Sequence, residues 1–162
     1  MLLRPYQPDD CAVLARLFAQ TIQCVTCPDY SKAERDAWAA GWHTLTDAFF
    51  GSRYTLVAVE DDQVAGYANL DDTGYLDHLF VHKDFQRRHV ATALCDALEQ
   101  YARSRGLLRV TVHASLTAKP FFLRRGYVLL RTQSVPLRGQ HLTNFVMEKN
   151  LNPEHTKTSS DT

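Results

Sequence analysis

The residues whose types and spacing most plainly suggest chemistry lie together between Tyr75 and Ala93, in the run YLDHLFVHKDFQRRHVATA. An apolar strand pattern ends there, a polar, basic loop follows, and a helix pattern begins within a few residues. The start of a helix leaves backbone N–H groups unpaired and carries the positive end of the helix dipole. Such a site binds phosphate without any special side chain. Arg87 and Arg88 add mobile positive charge, and Ala91 and Thr92 are small enough to let a diphosphate reach the backbone. Spacing alone leaves two readings open, a diphosphate cradle or a solvated turn with two surface arginines.

The elements that must position this loop can be read from the periodicity. Met1 to Arg4 reads as an edge strand, and Asp9 or Asp10 can cap a helix from about Cys11 to Gln23, with Leu14, Leu17, Phe18 and Ile22 on its apolar side. Ser31 to Glu34 forms a capping box that opens a second helix carrying Trp38 and Trp42. The period then changes to that of strands. Tyr54 to Val59 and Val64 to Leu70 flank a turn at Asp61-Asp62, and Tyr75 to Val81 is a third strand. A long helix follows from about His89 to Arg105, with Val90, Leu94, Leu98 and Tyr101 in one stripe and Gly106 as its end. Arg109 to His113 is a strand, Thr117 to Arg125 a short helix, and Tyr127 to Val135 and Leu142 to Met147 the last two strands. The order β-α-α-β-β-β-α-β-α-β-β predicts an α/β domain with a mixed sheet and helices on both faces.

Totals narrow the function classes. One domain is expected over residues 1–151, followed by a polar, disordered tail at 152–162 in a chain of 162 residues. Eighteen basic residues balance eighteen acidic ones, so net charge points to neither nucleic acid nor an anionic membrane as partner. The opening MLLRPYQPDD turns polar too early for a signal peptide, and no apolar run approaches a membrane span. A cytoplasmic protein with Cys11, Cys24, Cys27 and Cys95 as reduced thiols is expected. Cys24 and Cys27 have half the spacing of a zinc site, but no second pair follows, so no metal is expected.

Four segments in order resemble the GNAT superfamily of N-acetyltransferases. Gln86-Arg87-Arg88-His89-Val90-Ala91 is similar to its Q/R-x-x-G-x-G/A motif, and Gly66-Tyr67 to its G-x-A/G strand. Ser115-x-x-Ala118-x-x-Phe121-Phe122-x-x-x-Gly126-Tyr127 resembles its N-x-x-A-x-x-L/F-Y-x-x-x-G-F segment, and the closing Met147-Glu148-Lys149 its M-x-K ending. The resemblance runs from Leu2 to about Leu151. It implies the acyl-coenzyme A N-acyltransferase fold, a central, mostly antiparallel sheet splayed between two middle strands, and acetyl-coenzyme A as co-substrate. The pantetheine arm is then expected to pair with the backbone of Leu79, Phe80 and Val81, and the diphosphate to sit on Arg87, Arg88, His89, Val90, Ala91 and Thr92, with Gln86 opening the motif. Ser115 matches an Asn that often bonds the pantetheine arm; a helix-start cap is its other reading.

The family's chemistry is direct attack of a neutral amine on the thioester, which needs a base, a carbonyl-polarising donor and a proton for the departing thiolate. The resemblance points to a strand N–H at Leu79 or a neighbour for the carbonyl. It points to Asp77 for the base, four residues before Val81, with His78 and His113 as alternatives. Strict alternation places Tyr75, Asp77, Leu79 and Val81 on one face and His78 and Phe80 on the other. Two positions depart from the family pattern. His89 stands where the motif has its first Gly, and Phe122 where many members carry the Tyr that protonates the thiolate, with Tyr127 a less suitable substitute.

The acceptor is expected to be a small-molecule or peptide amine, walled by Tyr30, Trp38, Trp42 and Phe50; a homodimer is left open. The same aromatics also read as core. A GNAT-fold module that binds acyl-coenzyme A without turning it over is the main alternative. A nucleic-acid binder using Arg87, Arg88, Arg103 and Arg105 fits less well, since these residues match a local phosphate site better than a groove-wide stripe.

Overall fold

The computed structural model describes residues 1–151; the expected tail at 152–162 lies outside the described residues. Seven strands are joined in one sheet: β1 (Leu2–Pro5), β2 (Tyr54–Glu60), β3 (Gln63–Leu70), β4 (Tyr75–Val81), β5 (Arg109–Ser115), β6 (Val128–Leu137) and β7 (Gln140–Asn150). Their spatial order is β1-β2-β3-β4-β5-β7-β6. Every pairing is antiparallel except β4 with β5, which is parallel. Five helices cover the sheet: α1 (Cys11–Val25), α2 (Lys32–Ala39), α3 (Asp47–Gly51), α4 (Val90–Ser104) and α5 (Lys119–Arg124).

The helices follow from local signals. The Ser31–Glu34 capping box forms as expected, with Ser31 Oγ accepting from the Glu34 N–H at 3.1 Å and Glu34 accepting from the Ser31 N–H at 2.8 Å. Asp10 stands at the head of α1 but does not cap it. Its carboxylate accepts two bonds from Arg4, both 2.8 Å, and one from the Gln7 N–H. Charge pairing with the first strand wins over the cap, because two charge-assisted bonds outweigh one to a backbone amide. Asp61 and Asp62 both take left-handed backbone, φ 53° and 60°, making the tight turn that matches strand twist.

Two cores lie on opposite faces of the sheet. Leu94, Leu98, Val110, Phe122 and Met147 are buried in the first, beneath α4 and α5. Leu14, Leu17, Phe18, Ile22, Phe50 and Tyr67 form the second, beneath α1 to α3. Each fully buried Leu contributes about 1.5–3 kcal/mol, so the α4 stripe alone holds that helix to the sheet. Glu99 is buried on the same helix and is satisfied by Arg125 Nε at 2.6 Å, Lys149 Nζ at 2.7 Å and the Tyr127 hydroxyl at 3.1 Å. That network ties α4 to the end of α5 and to β7.

Strand β4 borders both cores, and here strict alternation fails. A register shift between Asn69 and Leu70 on β3 pairs Asn69 with His78 but Leu70 with Leu76, so Asp77 is the extra residue of a bulge. Leu76, Leu79 and Val81 therefore pack on the first core. Phe80 packs on the second, and His78 stacks on Phe18 there, with ring centroids 5.4 Å apart. Asp77 does not share a simple face with Leu79 and Val81, contrary to the reading by alternation.

Candidate active site

The site begins where β4 and β5 part. They pair at only two positions, Tyr75 with Thr111 and Leu76 with Val112. Beyond Leu76 the edge of β4 facing β5 has no strand partner, while β3 pairs its other edge as far as Val81. An extended ligand backbone can use such an edge as a missing strand.

A cleft of about 550 Å³ occupies the opening. Leu79, Phe80 and Val81 form one wall, and Gln86, Arg87, His89, Val90, Ala91 and Thr92 form the outer end. Ser115, Thr117, Ala118, Phe121 and Arg124 line the β5–α5 side; Thr21, Val25, Thr26 and Trp38 close it from α1 and α2. Two glycines make the geometry accessible. A Cβ on Gly66 would lie 2.8 Å from the Phe80 carbonyl and 3.2 Å from Val90, so Gly lets β3, β4 and the start of α4 converge. A Cβ on Gly74 would lie 2.7 Å from the Arg109 carbonyl, at the point where β4 and β5 are still joined.

The loop after β4 is held at both ends. Phe85 and Val90 are buried in the first core, and Gln86 Nε2 donates to the Val81 carbonyl at 2.7 Å. Between these anchors Arg87 and His89 both adopt left-handed backbone, φ 61° and 63°. His89 directly precedes α4, so the unpaired N–H groups of its first turn face the cleft. The residues present thus fit a diphosphate: a concave, basic, amide-rich end next to a free strand edge.

The titratable groups sit deeper, near the bulge. Asp77 Oδ2 is 3.3 Å from Arg53 Nε; burial raises the Asp77 carboxyl pKa, and Arg53 opposes that shift. His78 Nδ1 is 2.9 Å from the Tyr67 hydroxyl, within an aromatic box of Phe18, Phe49, Tyr67 and Phe80. Desolvation there pushes His78 down to about 3, so the ring is neutral near pH 7. His113 is exposed, with its pKa lowered by burial and by Arg131, and its ring lies 5.0 Å from that of Tyr75.

Several expected site residues do not line the cleft. Asp77 and His78, on β4 before Leu79, are not among the lining residues. Arg88 turns away, toward Asp61 at 3.7 Å and the Phe85 ring. Phe122 is buried in the first core, and its neighbour Phe121 faces the cleft instead, because α5 begins one residue before Pro120 and turns Phe122 inward. Tyr30 is structural in its contacts: its hydroxyl donates to the Thr143 carbonyl at 2.7 Å and accepts from the Leu116 N–H at 2.9 Å, while its ring meets Trp38 edge-on. Trp42 is half exposed against His43, and Phe50 is wholly buried. Ser115 lines the cleft, yet its hydroxyl already caps Ala118 at 3.0 Å. Thr21, Val25, Thr26 and Arg124 are wall residues that sequence reading missed. They belong to elements remote in sequence, and only the spacing of Thr21 and Val25 with Phe18 on α1 hinted at a shared side. Among the described residues no three His, Cys, Asp or Glu side chains come together to hold a metal.

Sheet order, splayed strands and loop cradle define a coenzyme A-dependent acyltransferase fold, and comparison with known proteins agrees. Residues 26–151 match the family model of the acetyltransferase (GNAT) domain. The uncharacterized N-acetyltransferase YafP of Escherichia coli (strain K12) is 34% identical over 153 residues, 94% of this chain and 97% of that protein. A crystal structure described as a GCN5-related N-acetyltransferase (aminotransferase, class-II) from Rhodopseudomonas palustris is 39% identical with a TM-score of 0.89, covering 92% of this chain and 94% of that one. The PaiA N-acetyltransferase of Thermoplasma acidophilum, solved in complex with coenzyme A, shares the fold at 16% identity and TM-score 0.76, over 92% and 98% of the two chains. The chain belongs to the GNAT acetyltransferase family, and is an acyltransferase of that type.

Proposed function

We propose that this enzyme transfers acetyl from acetyl-coenzyme A to a primary amine by direct attack of the amine on the thioester. The observation that carries the reading is the parting of β4 from β5 after two paired positions, which opens a cleft from a free strand edge to an amide-lined helix start. In this reading the diphosphate rests on the amides from Arg87 to Thr92, and the pantetheine arm pairs with β4 from Leu79 to Val81. An N–H on the free edge, at Leu79 or a neighbour, polarises the carbonyl.

Asp77 is the base we favour, acting through water, since its side chain does not line the cleft. Raising its pKa by burial brings a carboxylate closer to what proton abstraction near neutrality requires, while Arg53 keeps it ionised. His78 is the weaker candidate: a ring pushed down to about 3 has little affinity for a proton. The acceptor is a small-molecule or peptide amine that enters over α1 and α2 beside Trp38. The β6–β7 turn guards that side, since Arg138 donates to the Ala37 carbonyl at 3.0 Å.

A second reading, a module that holds acyl-coenzyme A without turnover, is favoured by one observation: neither Phe121 on the wall nor Phe122 in the core offers a hydroxyl to the leaving thiolate. Thiol release from acetyl-coenzyme A across a panel of amines separates the two. Release that depends on an amine supports transfer, and tight binding with no release under any amine supports the module.

A further inference from the structure

Thr21 stands out among the polar groups of the cleft. It lies on α1, one turn after Phe18, whose ring meets Phe80 of β4 edge-on with centroids 5.0 Å apart. The residue lines the cleft with Val25, Thr26 and Trp38, is 94% buried (6% exposed), and its Oγ1 makes no hydrogen bond. Two other hydroxyls of the wall donate within the chain, Thr26 Oγ1 to the Ile22 carbonyl at 2.5 Å and Thr117 Oγ1 to Asp29 at 2.8 Å, while Ser115 Oγ is held as an acceptor from the Ala118 N–H at the start of α5. Thr92 sits at the opposite, diphosphate end, on the first turn of α4. A buried hydroxyl without a partner carries a desolvation cost that a ligand can relieve.

The direction of the cleft says which part of the ligand that is. With the diphosphate at residues 87–92, the thioester end points inward along β4, toward the junction at Leu76 and Val112. Thr21 lies one helical turn from Phe18, whose ring packs on His78 and Phe80 of this inner stretch. Its Oγ1 is sealed from solvent, and the role inferred for it requires a turn to the other of the two χ1 wells that a helical threonine populates.

We infer that Thr21 is the hydroxyl that receives the departing coenzyme A sulfur, in place of the hydroxyl that Phe121 and Phe122 lack. The amine nitrogen bonds the carbonyl carbon, the C–S bond breaks with its electron pair on sulfur, and the amine proton leaves to the base. The Thr21 O–H donates to the thiolate but keeps its proton, because an alcohol is a weaker acid than a thiol; solvent protonates the sulfur on release. The inference rests on the acetyl-coenzyme A reading.

The test needs no acceptor. Coenzyme A is bound to the wild type and to Thr21→Val, an isosteric change, and the bound thiol is titrated through its thiolate absorbance. Arg87 and Arg124, the charged groups of the wall, and the His89 imidazole are common to both proteins. The expected result is a thiol pKa about one unit higher in Thr21→Val than in the wild type, from loss of one bond to a charged sulfur. Thr21→Ser restores the wild-type value, and Thr21→Ala replaces the valine variant if that fails to fold. Equal thiol pKa values in two proteins that both bind coenzyme A overturn the role of Thr21. Failure of the wild type to bind coenzyme A at all overturns the cofactor reading beneath it.

Discussion

Asp77 Oδ2 lies 3.3 Å from Nε of Arg53, whose guanidinium is itself 4.2 Å from the centroid of the Phe49 ring. One carboxylate on the bulge of β4 is thus tied to the short helix α3, on the second-core face of the sheet.

If Asp77 is the base, Asp77→Asn lowers kcat about a hundredfold near neutrality, within the usual range for loss of a general base. The dissociation constant for acetyl-coenzyme A stays the same, since the proposed binding mode meets β4 through backbone alone. Raising the pH recovers part of the rate, because the amine then loses its proton in solution. Arg53 favours the ionised carboxylate, so Arg53→Met raises the Asp77 pKa further and moves the acid limb of the pH–rate profile upward. Unchanged rate and profile in Asp77→Asn would remove it from the mechanism and bring His113 forward.

His89 takes φ 63°, where a side chain is strained and glycine is not. His89→Gly is therefore expected to hold the loop with less strain, by about 1 kcal/mol, and to bind coenzyme A equally well or better. Thermal melting and calorimetry read the two effects separately. A tenfold loss of affinity, about 1.4 kcal/mol, would show instead that the imidazole contacts the phosphate.

Gln86 links the loop to the end of β4 through the Val81 carbonyl. Gln86→Leu breaks that link at a cost of about 1 kcal/mol, read as a melting temperature lower by about 2–4 °C together with a weaker coenzyme A affinity as the loop loosens. Equal affinity would mean that Phe85 and Val90 alone hold the loop.

Gly66→Ala is expected to be severe. Its Cβ would meet the Phe80 carbonyl at 2.8 Å, and backbone cannot swing aside as a side chain can. Overpacking of this kind costs about 1–3 kcal/mol, and it displaces the strand whose other edge faces the cleft. A drop in both melting temperature and coenzyme A affinity is the expected pair of results; a variant like the wild type would show that β4 can retreat freely.

Local signals made most of the architecture legible. The capping box at Ser31, the apolar stripe of α4 and the strand–loop–helix sequence around Gln86 each depend on neighbours in sequence, and each has its expected form. The longer reach of β6 and β7, to Leu137 and from Gln140, was hidden because Pro136 and the polar residues around it weaken the strand pattern. The candidate site was legible chiefly where it is contiguous, from Leu79 to Thr92, and at Trp38 and Ser115, which also line the cleft. The bulge at Asp77 escaped because it arises from the pairing of β3 with β4 and leaves no mark on β4 itself. The exchange of Phe122 for Phe121 on the wall follows from the orientation of a six-residue helix, and Thr21 from the crossing of α1 over β4. Both depend on tertiary packing.

The most direct test of the account is a calorimetric titration of the protein with acetyl-coenzyme A. It predicts one molecule bound per chain, with stability raised by about 2.7 kcal/mol at a hundredfold excess over the dissociation constant. No heat of binding, together with an unchanged melting temperature at saturating acetyl-coenzyme A, would contradict it.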